Sequence, residues 1–250
     1  SIRGGRCGGR TRWAEAETMD LALYMKEPAV RVLGPGVRYA LTSNGASVVD
    51  LQTGEQLVNQ PFKTEDALKI YDILEGGAGM MSIFIGGKSY TTRENAEQHM
   101  DMVPENLRTY FRTTRLEVAD MHKTLRDHAH EIEKYSMIYA TEAERDAAWH
   151  EVLAACPGME LTSSLPCNME INAPGVTKGS GLMALARTLG LTRVQVMAVG
   201  DSGNDCAMIE AAGLGVAMGN ATDDIKKIAD VTTDDNNHDG VAAAIENYVL

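Results

Sequence analysis

The sequence predicts an α/β protein: a doubly wound, largely parallel sheet interrupted by an inserted α+β module. Three observations carry this. The run 194–199 is short, apolar and rich in Val, as expected for a strand buried on both faces of a parallel sheet. From there to the C-terminus, strand and helix patterns alternate at short intervals. Residues 62–174 have a different texture, with helical periods and period-2 stretches mixed.

The elements follow in order along the chain. Residues 39–42 read as a strand running into Ser43-Asn44-Gly45, and 46–62 as a hairpin turning at Thr53-Gly54. A helix with Ala67, Ile70, Tyr71 and Leu74 on one face stops at Gly76-Gly77. Met81, Ile83 and Ile85 then alternate into a turn at Gly86-Gly87. Thr141 and Glu144 have the spacing of a capping box for a helix carrying Trp149, Val152 and Leu153. Strands at 135–139 and 169–172 flank that helix. Thr177 can cap a helix whose Leu182, Leu185, Ala186 and Leu189 recur at helical spacing before Gly190 ends it. After the buried strand comes a helix at 205–212, with Met208, Ile209 and Ala212 on one face and Gly213 as its stop. A strand at 215–218, a helix at 222–229 capped by Thr222, a strand at 231–233 and a helix at 241–248 complete the pattern. The implied division is 1–61 as the N-terminal part of a core, 62–174 as the insert and 175–250 as the C-terminal part of the core.

Composition narrows the function classes. Of 250 residues, 44% are hydrophobic and 23% charged, the balance of an ordinary globular chain. No apolar run approaches the roughly 18 to 20 residues that cross a bilayer, and the start lacks the apolar segment of a secretory signal, so a cytoplasmic address is the default expectation. The formal charge of −12 would repel a nucleic-acid backbone over most of the surface, while a local pocket could still be positive. Cys7, Cys156, Cys167 and Cys206 show neither C-x-x-C pairing nor zinc-site spacing and read as reduced thiols. Residues 1–12 hold Arg3, Arg6, Arg10 and Arg12 with no acid. That Gly/Arg run is similar to a short RNA-binding segment, but the preferred reading is a truncation or misread start.

The chemistry concentrates at Gly200-Asp201-Ser202-Gly203-Asn204-Asp205, directly after the buried strand. Ligands of open α/β sheets bind at the carboxyl ends of strands. Two carboxylates four apart on a tight turn can share a hard cation such as Mg²⁺, completed by waters and phosphate oxygens. Asn204 adds a neutral group that could touch a phosphate. The fixed positions of G-D-x-x-N-D arise by chance only about twice per thousand chains of this size, so a ligand-free Asp/Gly/Asn turn is the weaker reading. Lys178 follows the cap Thr177, a position where the helix dipole disfavours a cation by about 0.3 to 1 kcal/mol. An anion would reverse that sign, since first-turn N–H groups and an ammonium together make a phosphate site; a solvated surface lysine is the alternative reading.

These pieces occur together in an order that resembles a known family. Glu170-Ile171-Asn172 through Gly175-Val176-Thr177-Lys178-Gly179, then the Asp201 loop, then Gly215 through Gly219-Asn220-Ala221 and finally Asp239-Gly240-Val241 are similar to the Cof-type sugar phosphatases of the haloacid dehalogenase superfamily. The resemblance covers about residues 40–250, is strongest from 160 onward, and includes Thr42-Ser43-Asn44-Gly45-Ala46. It implies a Rossmann-like core with a large α+β cap over the active site. It further implies that Lys178 binds the transferring phosphoryl group, Asp201 ligates Mg²⁺, Asn204 contacts phosphate and Asp205 supports metal and lysine. Asn44 and Gly45 would sit beside the substrate, a small phosphorylated metabolite. The family's chemistry runs through an aspartyl-phosphate intermediate.

One part of the family pattern is missing. Its nucleophile and acid/base are the aspartates of an N-terminal D-x-D, and no D-x-D occurs in this sequence. Asp20 precedes what reads as a helix and is a poor substitute. The Ser/Thr ending the family's second core strand is not identifiable either, although Gly9-Arg10 could be its flank. The expectation is therefore a chain that lacks the first strand and is inactive as given. A non-catalytic phosphometabolite-binding protein is the alternative. A cation-pump phosphorylation domain shares the Asp201 loop, but the absence of a membrane-spanning run counts against it. His128 and His130 read as solvated side chains, and the 14 methionines as packing. The sequence is silent on the oligomeric state.

Overall fold

Strand pairing sorts the described residues into three sheets. The computed structural model describes residues 16–18, 37–165 and 167–250. The Arg-rich start, Cys7, Gly9-Arg10 and Asp20 lie outside them. The first sheet runs in the order β1 (Ala16–Thr18), β2 (Tyr39–Thr42), β3 (Ser47–Asp50) and β4 (Gln56–Asn59). β1 is parallel to β2, and the later pairs are antiparallel, with a register shift between Val48 and Val49. Gly54, at φ 76°, turns the hairpin where Thr53-Gly54 predicts it. Between β2 and β3, Ser43, Asn44 and Gly45 all have positive φ, at 52°, 54° and 97°. Such values are uncommon for Ser and Asn and need support from outside the turn.

The second sheet comes from the middle of the chain. Its elements are α1 (Thr64–Leu74), β5 (Met80–Ile85), β6 (Lys88–Thr92), α2 (Arg93–His99), α3 (Glu105–Thr114), β7 (Arg115–Val118), α4 (Met121–His128), β8 (Ile132–Ile138), α5 (Glu142–Ala155), β9 (Glu160–Thr162) and β10 (Asn168–Asn172). The strand order is β7-β6-β5-β8-β10-β9, antiparallel except for the parallel β6–β7 pair. α1 buries the expected face, Ala67, Ile70, Tyr71 and Leu74, in one cluster with Ile132, Tyr135, Met169 and Ile171. The capping box of Thr141 and Glu144 is formed at the start of α5.

The third part comprises α6 (Lys178–Thr188), β11 (Met197–Gly200), α7 (Cys206–Ala211), β12 (Leu214–Ala217), α8 (Asp223–Ile228), β13 (Val231–Thr232) and α9 (Gly240–Tyr248). β11, β12 and β13 form a parallel sheet with helices in the crossovers. Two expectations change in detail. The strand predicted at 194–199 starts only at Met197, because Gln195 accepts hydrogen bonds from the Thr192 N–H and hydroxyl and folds 193–195 into a 3₁₀ turn. Val194 is consequently 81% exposed. Thr222 stands at the N-cap of α8 without a side-chain capping bond; Asp223 and Asp224 supply the acids of that first turn.

Among the described residues the parallel sheet and the β1–β4 sheet do not pair edge to edge; α6 joins them. Leu185 packs with Tyr39, Leu41 and Val48, while Ala186 packs with Val196, Ala198, Met208 and Ile209. Leu182 touches both clusters. The first turn of α6 reads Lys-Gly-Ser-Gly for a steric reason. A Cβ on Gly181 would lie 2.6 Å from the Gly45 Cα, and one on Gly179 would lie 2.2 Å from the Ala207 carbonyl oxygen. Backbone on both sides thus fixes where α6 begins, and with it the position of Lys178.

Candidate active site

The carboxyl end of β11 and the N-terminus of α6 converge on a cleft of about 390 Å³. Lys178, Asp201, Asn204 and Asp205 all line it, so four of the sequence-predicted residues meet in one place. The loop that carries three of them is closed by Asp205. Its Oδ2 accepts from the Asp201 N–H at 2.9 Å and the Ser202 N–H at 3.0 Å, and the Ser202 hydroxyl, which shares its one proton with Asn204 Oδ1, approaches it at 3.3 Å. Gly200 permits this inward turn, because a Cβ there would stand 2.6 Å from the Asp205 Cβ.

The other Asp205 oxygen, Oδ1, accepts from Lys178 Nζ at 2.7 Å, and both side chains are largely buried, at 6% and 12% exposure. This pair accounts for a lysine at a helix N-terminus: the carboxylate offsets the dipole that disfavours it. Thr177 accepts from the Ser180 N–H and Ser180 Oγ accepts from the Thr177 N–H, a capping box. The first backbone bond of the helix runs from Gly181 N to Thr177 O. The N–H groups of Lys178 and Gly179 precede it and have no carbonyl of their own helix to reach.

The two loop carboxylates therefore take different parts. Asp205 already serves four donors, whereas the Asp201 carboxylate has one described donor, Asn220 Nδ2, at 3.0 Å from Oδ2. No described donor reaches Asp201 Oδ1, and Asp201 lines the cleft. The described residues contain no group of three or more His, Cys, Asp or Glu arranged around one point. A hard cation held here would rest on one or two carboxylates plus phosphate oxygens and water, a donor set suited to Mg²⁺. Asn204 is 6% exposed, and its Oδ1 accepts from the Ser202 hydroxyl at 2.9 Å, which directs its amide N–H₂ away from that hydroxyl.

Asn44 and Gly45 stand beside this cleft without lining it. Asn44 Nδ2 faces Glu170 Oε2 and Asn172 Oδ1, both at 3.1 Å, and Thr162 Oγ1 at 3.2 Å. Gly45 lies against the Thr177 carbonyl. Asn172 Nδ2 in turn donates to the Ser43 and Glu133 carbonyls, and Ser43 Oγ donates to Glu133 Oε2 at 2.8 Å. These bonds hold the left-handed turn. They also tie it to β8 and β10, where Lys134 and Glu170 form an ion pair at 2.9 Å with both side chains buried. Burial pushes the Glu133 carboxyl above its usual range, opposed by hydrogen bonds from Ser43, Gly87 and Gln56.

Several contributors carried no sequence signal of their own. Ser164, from the β9–β10 connection, lines the cleft with the Asp201 loop. Asn168 shapes that connection, since its Oδ1 accepts from the N–H groups of Ser164 and Leu165. Val241 and Met218, both inside recognised stretches, supply an apolar border. Asn220 lay inside a recognised stretch without an assigned part. His128 and His130 are exposed and face Glu131 on the surface. Cys156, Cys167 and Cys206 are free thiols.

The fold agrees with comparisons to known proteins. A family model described as haloacid dehalogenase-like hydrolase matches residues 23–245. The chain belongs to that family and within it to the Cof-type phosphatases. The putative phosphatase M6_Spy0533 of Streptococcus pyogenes is 31% identical over 85% of this chain and 76% of its own length. Phosphatase YwpJ of Bacillus subtilis is 28% identical over 84% and 79%. The 5-amino-6-(5-phospho-D-ribitylamino)uracil phosphatase YcsE of Bacillus subtilis reaches 54% identity, but the match spans only 37% of each chain. Among solved structures, a haloacid dehalogenase-like hydrolase from B. subtilis superposes with a TM-score of 0.77 at 27% identity, covering 94% of this chain and 87% of the other. A subclass IIB sugar phosphatase shares the fold at a TM-score of 0.71 and 20% identity.

Proposed function

We propose that the cleft binds the phosphoryl group of a small phosphorylated metabolite, sugar phosphates foremost, for Mg²⁺-dependent monoester chemistry. The observation that carries this is Lys178. Its ammonium and the first-turn N–H groups of α6 meet the Asp201 loop in one cleft, with a single carboxylate pair setting the lysine's position. Lys178 contacts the phosphoryl oxygens, Asn204 donates to one of them, and Asp201 holds the cation through its open oxygen. Asp205 orients the lysine and the loop, and its Oδ1, which has Lys178 as its one described donor, keeps a lone pair for the cation. Mg²⁺, when bound, would neutralise charge on the phosphoryl oxygens. Residues 62–174 act as a cap over a core made of 1–61 and 175–250, with Ser164 lining the cleft from the cap and Asn44 and Gly45 at the junction. The net charge and the lack, among the described residues, of a helix long and apolar enough to cross a membrane favour a small-molecule partner and a cytoplasmic site of action.

The sequence contains no D-x-D to supply an aspartyl nucleophile. That favours a second reading, a phosphometabolite-binding protein without turnover. Losing a member of a catalytic unit typically costs several orders of magnitude, so the 250-residue chain should hydrolyse p-nitrophenyl phosphate no faster than background with saturating Mg²⁺. Turnover by rigorously purified chain, abolished by Asp201→Asn, would overturn that expectation and exclude the binding-only reading.

A further inference from the structure

Asn220 lies on the turn between β12 and α8, and its side chain joins two loops that share no strand. Its Oδ1 accepts from the Asn236 backbone N–H at 3.0 Å, and its Nδ2 donates to Asp201 Oδ2 at 3.0 Å. The amide has only one orientation here. A backbone N–H can only donate, so the oxygen must face Asn236, and the N–H₂ group must face the carboxylate.

The surrounding backbone holds Asn220 where it stands. Gly219 N donates to Asp234 O at 3.0 Å, Ala221 N to Met218 O at 2.9 Å, and Thr222 N to the Asp201 carbonyl at 3.1 Å. A Cβ on Gly219 would come within 2.8 Å of the Asp235 nitrogen, so the turn lies close against the 234–240 loop. Asp201 is thus fixed through its carbonyl by Thr222 and through its carboxylate by Asn220. No other described donor reaches that carboxylate.

We propose that Asn220 is a positioning residue for cation binding: it fixes the rotamer of Asp201 and turns Oδ1 toward the cleft. This rests on the reading of Asp201 as a cation ligand given above. A carboxylate already oriented by an outer hydrogen bond binds its metal more tightly, and loss of such a partner typically costs 10- to 100-fold in affinity. A residue serving only to hold loops together would act differently, weakening the whole site or none of it.

The test is calorimetric titration of Mg²⁺ into the full chain and into Asn220→Ala, with saturating inorganic phosphate, well below either melting temperature. Phosphate affinity without Mg²⁺ is measured alongside. The expected result is at least a tenfold weaker Mg²⁺ affinity in Asn220→Ala with phosphate affinity within twofold of the parent. Mg²⁺ affinity within twofold of the parent would overturn the proposal while leaving Asp201 a cation ligand. Equal weakening of both ligands would overturn it in favour of a merely structural turn. A parent chain that takes up no Mg²⁺ in phosphate would overturn both this proposal and the cation reading of Asp201.

Discussion

Asp205 and Lys178 are partners in one ion pair, yet their removal should have unequal effects, and the inequality can be worked out from the contacts. Lys178→Met keeps the stem and deletes one charge-assisted bond, worth about 1.5 to 3 kcal/mol. It also takes a cation away from a helix N-terminus, which returns about 0.3 to 1 kcal/mol. Asp205 keeps its other three donors in that variant. The net loss is about 0.5 to 2.7 kcal/mol. Asp205→Ala strands an ammonium that is only 12% exposed and orphans two loop N–H groups. Breaking a buried pair from that side costs about 3 to 5 kcal/mol. For a chain of this size, 1 kcal/mol shifts the melting temperature by about 2 to 4 °C. Urea unfolding in phosphate-free buffer reads the two losses directly. The double variant should lose less than the sum, because without the lysine there is no stranded charge. Equal losses from the two single variants, or a larger loss from Lys178→Met, would refute the assignment of Asp205 as the organiser of the loop.

Two further perturbations probe the surroundings. Gly181→Ala places a methyl 2.6 Å from the Gly45 Cα and should cost about 1 to 3 kcal/mol. Gly203→Ala meets nothing closer than the Ser163 carbonyl oxygen at 3.6 Å and should stay within about 0.5 kcal/mol of the parent, so equal losses in denaturant would contradict the packing described. Because burial raises the Glu133 carboxyl, the folded protein holds that proton more tightly than the unfolded chain. The stability this contributes is present below the ordinary carboxylate range and is lost as pH rises through the raised value. Glu133→Gln should therefore gain in melting temperature relative to the parent as pH rises from 4 toward 7; a difference independent of pH would refute the account.

The parts of the fold legible in the sequence were those with local causes. Thr177 and Thr141 announced their helices because capping is decided within four residues, and the alternation of 205–248 follows from apolar period alone. The start of β11 is not legible in the hydrophobic pattern, because the Gln195 side chain closes a turn on Thr192 that the pattern does not encode. Lys178, Asp201, Asn204 and Asp205 could be singled out because they lie in dense motifs. The division of labour between the two aspartates could not, because it depends on which lone pairs are already taken. Asn220, Ser164 and the Lys134–Glu170 pair reach their places only through tertiary contacts, over separations of 16 to 36 residues in the hydrogen bonds of Asn220 and Lys134.

Anion-dependent melting tests most directly whether Lys178 is a phosphate ligand at the start of α6. A ligand that binds only the folded state stabilises it by RT ln(1 + [L]/Kd), about 2.7 kcal/mol at one hundred times Kd. Inorganic phosphate at constant ionic strength should therefore raise the parent's melting temperature by about 5 to 11 °C. Lys178→Met should lose most of that rise while its anion-free melting temperature falls only modestly. The same phosphate-induced rise in both proteins would contradict the account, because it would mean that the ammonium beside Asp205 is not what the anion binds.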